Sequence, residues 1–171
     1  MMTDYLIDTH AHLDFSELYD RLEEVLENAK KNNVKRIISI STNLNKIDKI
    51  INLSDKNEEI FFTVGIHPNE VLKDENNSNY ELIKNISKKG KCVGIGECGL
   101  DYHYRQDSIK EQKLSFITQI NVARDTGLPL IIHSRDADED MIDILKSEFK
   151  NGPFQAILHC FSSGKELALC G

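Results

Sequence analysis

Short apolar runs alternate with longer amphipathic ones along this chain. Tyr5–Thr9, Lys35–Ser41, Ile60–Ile66, Lys91–Gly96, Leu128–Ile132 and Ala156–Leu158 are each a few residues long and rich in Ile, Val or Leu. Gly, Pro, Asn or another polar residue bounds each run, which predicts six strands. Between them apolar residues recur at three- and four-residue steps. Leu18, Leu22, Val25, Leu26 and Ala29 form one such stripe, with Glu, Lys and Asn on the opposite face. Ile47, Ile50, Ile51 and Leu53 form a second, and Tyr80, Leu82, Ile83 and Ile86 a third. A longer helix is expected from Ser108 to Thr126, with Gly127 as its C-cap, and another from Asp138 to Phe149, ended by Asn151-Gly152-Pro153. A sixth helical pattern begins after Ser163. Strands that read as buried on both faces and alternate with helices imply an α/β fold built on a parallel sheet.

Composition narrows the class without naming the chemistry. The 171 residues are 40% hydrophobic and 29% charged, an ordinary globular balance that suits one domain over residues 1–171. No Ser- or Pro-rich linker, repeat or low-complexity stretch divides it. The net charge of −7 argues against broad, charge-driven binding to nucleic acid or an anionic membrane, but not against a site that grips a strand end through bound metal. Cys92, Cys98, Cys160 and Cys170 form no C-x-x-C pair, so reduced thiols in a cytoplasmic protein are expected. The N-terminus lacks a basic start followed by an apolar stretch, and no apolar run approaches the ~20 residues that span a bilayer. No G-x-G-x-x-G or G-K-[ST] loop supports a Rossmann or P-loop reading.

The candidate chemistry lies in the histidines. Of six, five fall at or just past the C-terminal end of an expected strand: His10 and His12 after strand one, His67 after strand three, His133 after strand five and His159 after strand six. Strand four contributes Glu97. In a parallel barrel these ends converge on one face, where barrel enzymes place their active sites. His10 and His12, two residues apart, point to the same side. One His at a strand end is usually an ordinary hydrogen-bonded residue, and one H-x-H is moderate evidence. His10, His12, His133 and His159 with Glu97, all at equivalent positions, point together to a metal site. Imidazole and carboxylate suit Zn²⁺, Mn²⁺ or Fe²⁺, and tolerate Mg²⁺ weakly.

The motifs are more specific than the pattern. Leu6-Ile7-Asp8-Thr9-His10-Ala11-His12-Leu13-Asp14 resembles the opening signature of the TatD DNase family within the amidohydrolase superfamily. Val64-Gly65-Ile66-His67-Pro68 resembles its second motif and Gly94-Ile95-Gly96-Glu97-Cys98-Gly99-Leu100-Asp101-Tyr102 its third. Pro129-Leu130-Ile131-Ile132-His133-Ser134-Arg135-Asp136-Ala137 and Leu158-His159-Cys160-Phe161-Ser162 resemble the fourth and fifth, and the likeness covers the whole chain in order. The resemblance implies a TIM-type (β/α)₈ barrel and hydrolysis of phosphodiester bonds at DNA ends, single-stranded ends preferred, with two divalent metal ions (Mg, Mn or Zn). It assigns His10 and His12 to the first metal, Glu97 as the bridge, and His133 and His159 to the second. His67 and Arg135 are candidates to hold phosphate, and Asp101 to orient a ligand or the substrate.

Six strands are expected here, where the barrel has eight and typically needs roughly 250 residues. The family's last ligand, an aspartate on strand eight, would lie past Gly171. The expectation is therefore an incomplete barrel lacking two βα units, with little or no activity of its own. Relatives that remove D-amino acids from charged tRNA make aminoacyl-tRNA the alternative substrate, and an inactive remnant is a further alternative. Cyclic amide hydrolysis is disfavoured, because strand four offers Glu97 where a carboxylated lysine is usual.

Overall fold

The computed structural model describes residues 4–72 and 80–170. Six parallel strands lie in chain order, β1 Leu6–Ala11, β2 Val34–Ser39, β3 Ile60–Val64, β4 Cys92–Asp101, β5 Leu130–Arg135 and β6 Ala156–Leu158. Every neighbouring pair is parallel. The sheet is curled into an incomplete barrel, as the alternation of apolar runs predicts. The helices are α1 Ser16–Tyr19, α2 Leu22–Lys31, α3 Ile47–Lys56, α4 Tyr80–Ser87, α5 Ile109–Thr126, α6 Asp138–Lys150 and α7 Lys165–Ala168. The single stripe expected from Leu18 to Ala29 is broken into α1 and α2, yet Leu18, Leu22, Val25, Leu26 and Ala29 still pack on one apolar cluster around Leu13, Ile37, Leu53 and Ile60.

The main core lies between the convex face of the sheet and the helices. Ile50 of α3, Ile83 of α4, Phe116 and Ile120 of α5 and Met141 of α6 close over Phe62, Ile95, Leu100 and Ile132. Burying one such side chain contributes about 1.5–3 kcal/mol, so this layer is the main source of stability. Gly127 ends α5 in the left-handed conformation, φ 71°, as the expected cap. The concave face is less covered. Thr9, Ile38, Ile131 and Ile157 line a cavity of about 170 Å³ below the sheet's C-terminal end. On the edge strands, Leu6 is 61% and Ile157 54% exposed.

The strand ends differ from the sequence reading in one place that matters. Strand four does not stop at Gly96 but continues to Asp101. Ile95 pairs with Leu130 and Cys98 with Ile132, so β4 uses three steps where β5 uses two. This bulge inserts a residue, re-aims the side chains around it, and presents Glu97 and Asp101 on one strand. The backbones touch here. A Cβ on Gly96 would lie 2.6 Å from the Ile131 carbonyl oxygen, and one on Gly99 2.1 Å from that of His133, both at positive φ. Only glycine fits two such approaches.

Candidate metal centre

The C-terminal ends of the strands enclose an open cavity of about 390 Å³, lined by His10, His12, His67, Glu97, His133 and His159 together with Phe15 and Asn69. Glu97 is 3% exposed and sits between two sets of imidazoles. Its Oε2 is 3.2 Å from His10 Nε2 and 3.9 Å from His12 Nε2, while its Oε1 is 3.1 Å from His133 Nδ1 and 3.8 Å from His67 Nε2. The ligand atoms of His10, Glu97 and His159 lie within 4.8 Å of one another, as do those of His67, Glu97 and His133. The rings of His10 and His159 stack with centroids 3.5 Å apart, so the two edge strands of the sheet meet at this point.

Hydrogen bonds to the far side of each ring decide which nitrogen can accept a cation. His12 Nδ1 donates to the Ile40 carbonyl, 3.2 Å, which leaves the Nε2 lone pair facing the cavity. His133 Nε2 faces Asp101 Oδ2 at 3.0 Å, so the proton on that side leaves Nδ1 for the cavity. A carboxylate behind an imidazole in this way fixes its tautomer and raises its basicity as a ligand. His67 is the opposite case. Its Nδ1 accepts the Asn69 backbone N–H, 3.1 Å, so the neutral ring carries its proton on Nε2 and offers a donor to the cavity, not a lone pair. Burial pushes the His67 pKa down to about 4, keeping it neutral.

Charge in the cluster is balanced by these contacts. Burial alone would push the Glu97 carboxyl up, but its contacts with His10 and His133 and the nearby His67 hold it well below the usual carboxylate range. Burial opposes protonation of His133, yet hydrogen bonds to Glu97 and Asp101 move its pKa upward. With four accessible imidazole faces around one carboxylate, the donor set fits a borderline divalent cation such as Zn²⁺, Mn²⁺ or Fe²⁺.

Asp101 lies behind the cavity, 1% exposed, accepting from the Tyr104 backbone N–H (2.9 Å), Asn69 Nδ2 (3.2 Å) and His133 Nε2. Arg135 is not in the histidine cavity. Its guanidinium lies over the exposed Tyr104 ring, 5.0 Å from the centroid, on the rim of a neighbouring cavity of about 860 Å³ between the loops after β5 and β6. The sixth histidine, His103, pairs with Asp136 on the surface.

Several supporting residues were not foreseen from the sequence. Two buried glutamines on α5, Gln112 and Gln119, reach inward to strand ends. Gln112 accepts from the Asp101 backbone N–H and donates to its carbonyl, and Gln119 does the same for Ile66, next to His67. Ser41 holds the other side, its carbonyl accepting the Glu97 N–H and its hydroxyl donating to Gly65 O. The seven-residue spacing of the two glutamines on one helix face was the available signal, but polar residues in a helix ordinarily read as solvent-facing.

A curled parallel sheet with an imidazole–carboxylate cluster at its C-terminal face defines the chain as a barrel-type protein with a candidate metal site. It belongs to the family described as TatD related DNase, which matches residues 7–170. YabD of Bacillus subtilis (strain 168), named an uncharacterized metal-dependent hydrolase, is 38% identical over 163 residues, covering 95% of this chain and 63% of its own length. The crystal structure of YJJV, a TatD homolog from Escherichia coli, matches with a TM-score of 0.83 at 25% identity, over 96% of this chain and 63% of that one. A hydrolase TatD family protein from Entamoeba histolytica matches with a TM-score of 0.80 at 28% identity, over 98% and 62% respectively. The chain thus spans somewhat under two thirds of the length of these relatives. Among the described residues no helix is long and apolar enough to cross a membrane.

Proposed function

We propose that this chain carries the greater part of a metal-dependent phosphodiesterase site that acts on DNA, single-stranded ends first. The observation that carries the reading is Glu97, whose two carboxylate oxygens each face a different imidazole group, as a residue shared between two cations would. His10, His12 and His159 would hold a cation on the Oε2 side and His133 one on the Oε1 side. Divalent cations there would supply Lewis acidity, acidifying water and neutralising charge that grows on a phosphoryl oxygen.

The chain's own groups do the rest. Glu97 stays ionised because its contacts with His10, His133 and His67 outweigh the effect of burial, so it is available as a ligand at neutral pH. His67, neutral with its proton on Nε2, donates a hydrogen bond to a phosphate oxygen seated in the cavity. It is a donor that needs no change of charge to act. Asp101 keeps His133 in one tautomer. Arg135, stacked on Tyr104, keeps its planar fork available on the rim, which suits a second phosphate further along the strand. The net charge of −7 makes duplex binding weak, so affinity depends on the few groups at the mouth.

The test is cleavage of end-labelled single-stranded DNA in Mn²⁺ or Zn²⁺, with full-length YabD as reference and D-aminoacyl-tRNA as the rival substrate. The expected result, in a form of this chain extended to the length of YabD, is metal-dependent release of nucleotides from a strand end, abolished by EDTA and by Glu97→Gln, while the 171-residue chain alone releases little or none. Cleavage that survives Glu97→Gln, or deacylation in place of cleavage, defeats the assignment.

A further inference from the structure

Phe15 is a large apolar ring left 41% exposed at the lip of a cavity whose other walls are imidazoles, the carboxylates of Glu70 and Glu97, and the polar side chains of Thr42 and Asn69. It follows β1, and its ring lies nearly parallel to that of His12, centroids 4.8 Å apart at 17°. His12 therefore covers one face and fixes the ring plane. The backbone beneath is pinned as well. Phe15 N–H donates to the His12 carbonyl, 3.1 Å, and the Phe15 carbonyl accepts from Leu18 and Tyr19. Lys49 Nζ donates to the Asp14 carbonyl at 2.6 Å, tying the same turn to α3. A flat apolar surface is thus held rigidly beside a polar cluster suited to phosphate.

We infer that Phe15 is a stacking surface for the nucleobase of the nucleotide whose phosphate enters the cavity, an inference that rests on the nuclease reading above. The polar walls suit phosphate and sugar, and Phe15 adds an apolar face outside the ligand cluster that suits a π-system. Stacking of a base on an aromatic side chain is sequence-tolerant, because every base has such a face. It also demands an unpaired base, since within a duplex both faces are covered by neighbours. The platform is a physical reason for single-stranded ends to be preferred that does not depend on net charge.

The test uses the 171-residue chain and fluorescein-labelled hexanucleotides with uncleavable phosphorothioate linkages, in Mn²⁺. The terminal nucleotide is either ordinary or abasic, at each end in turn. The wild type is expected to bind the ordinary end about tenfold more tightly than the abasic one, in the range of one stacked base. Phe15→Ala should bind both alike. The chain has no tryptophan, so Phe15→Trp adds a single fluorophore that should restore the preference and lose emission when a base stacks. A role limited to packing against His12 would produce neither the base dependence nor the quenching. If the wild type binds both ends equally, or Phe15→Ala keeps the preference, the platform is wrong and the nuclease reading stands. If the wild type binds none of the strands, both fall together.

Discussion

Asp101→Asn is the sharpest probe of how the site is held. The carboxylate is buried and receives three donors, the Tyr104 backbone N–H, Asn69 Nδ2 and His133 Nε2. Asparagine nearly matches its volume but offers one acceptor oxygen and two new hydrogens. When the amide oxygen takes the Tyr104 N–H, its NH₂ faces His133 Nε2. His133 then moves its proton to Nδ1, which lies 3.1 Å from Glu97, and the lone pair meant for a cation is lost. Removing such a partner typically lowers metal affinity 10–100-fold, about 1.4–2.8 kcal/mol. Asp101→Ala is expected to do more harm to folding, because three buried donors go unmet at about 1–3 kcal/mol each, less any that water recovers. Titration calorimetry with Mn²⁺ at pH 7.5 reads the affinity, and imidazole ¹⁵N shifts read the tautomer. Asp136→Asn, at a carboxylate paired with surface His103, is the control and should bind metal as the wild type does. A folded Asp101→Asn variant with affinity within twofold of wild type, and Nδ1 of His133 still unprotonated, would refute the argument.

Two further outcomes follow from the geometry. Gly99→Ala should destabilise the chain by more than about 3 kcal/mol in thermal unfolding, since its Cβ would meet the His133 backbone at 2.1 Å; Gly127→Ala, with open space around it, should cost only about 1 kcal/mol from its positive φ. Equal losses at the two glycines would count against the close approach of β4 and β5. In metal-free protein, stability should fall as pH drops from 6.5 toward 4. The unfolded chain then takes up a proton on His67 that the folded chain refuses until its pKa of about 4, a difference on the order of 3 kcal/mol. Glu97, held low, acts in the same direction below the ordinary carboxylate range, while His133, held high, favours folding at low pH and is lost as pH rises through its raised pKa. His67→Gln should flatten the descent between pH 6.5 and 4; an unchanged slope rules out this role for His67.

What the sequence determined by itself was the order of the elements and the side of the fold where chemistry collects. Short apolar runs such as Ile60–Val64 read as buried strands, and the three- and four-residue spacing of Leu22, Val25, Leu26 and Ala29 reads as a helix face turned to the core. Once the sheet is parallel, residues that follow each strand share one face, so His10, His12, His67, His133 and His159 meet around Glu97. Local periodicity reports which way a residue points, and that was enough to gather the cluster. It does not report what lies behind a residue. The continuation of β4 to Asp101 depends on a bulge that Gly96 and Gly99 permit only because the β5 backbone lies against them. Gln112 and Gln119 read as surface polar residues, yet they are buried because Asp101 and Ile66, 11 and 53 positions away, supply their partners. The roles of His12 and His67 divide on single hydrogen bonds, one to a carbonyl and one from an N–H. Arg135 ends β5 two residues past His133 but leans out over Tyr104 in space. Each of these is settled by a neighbour brought in by the fold, which is why tertiary structure alone decided them.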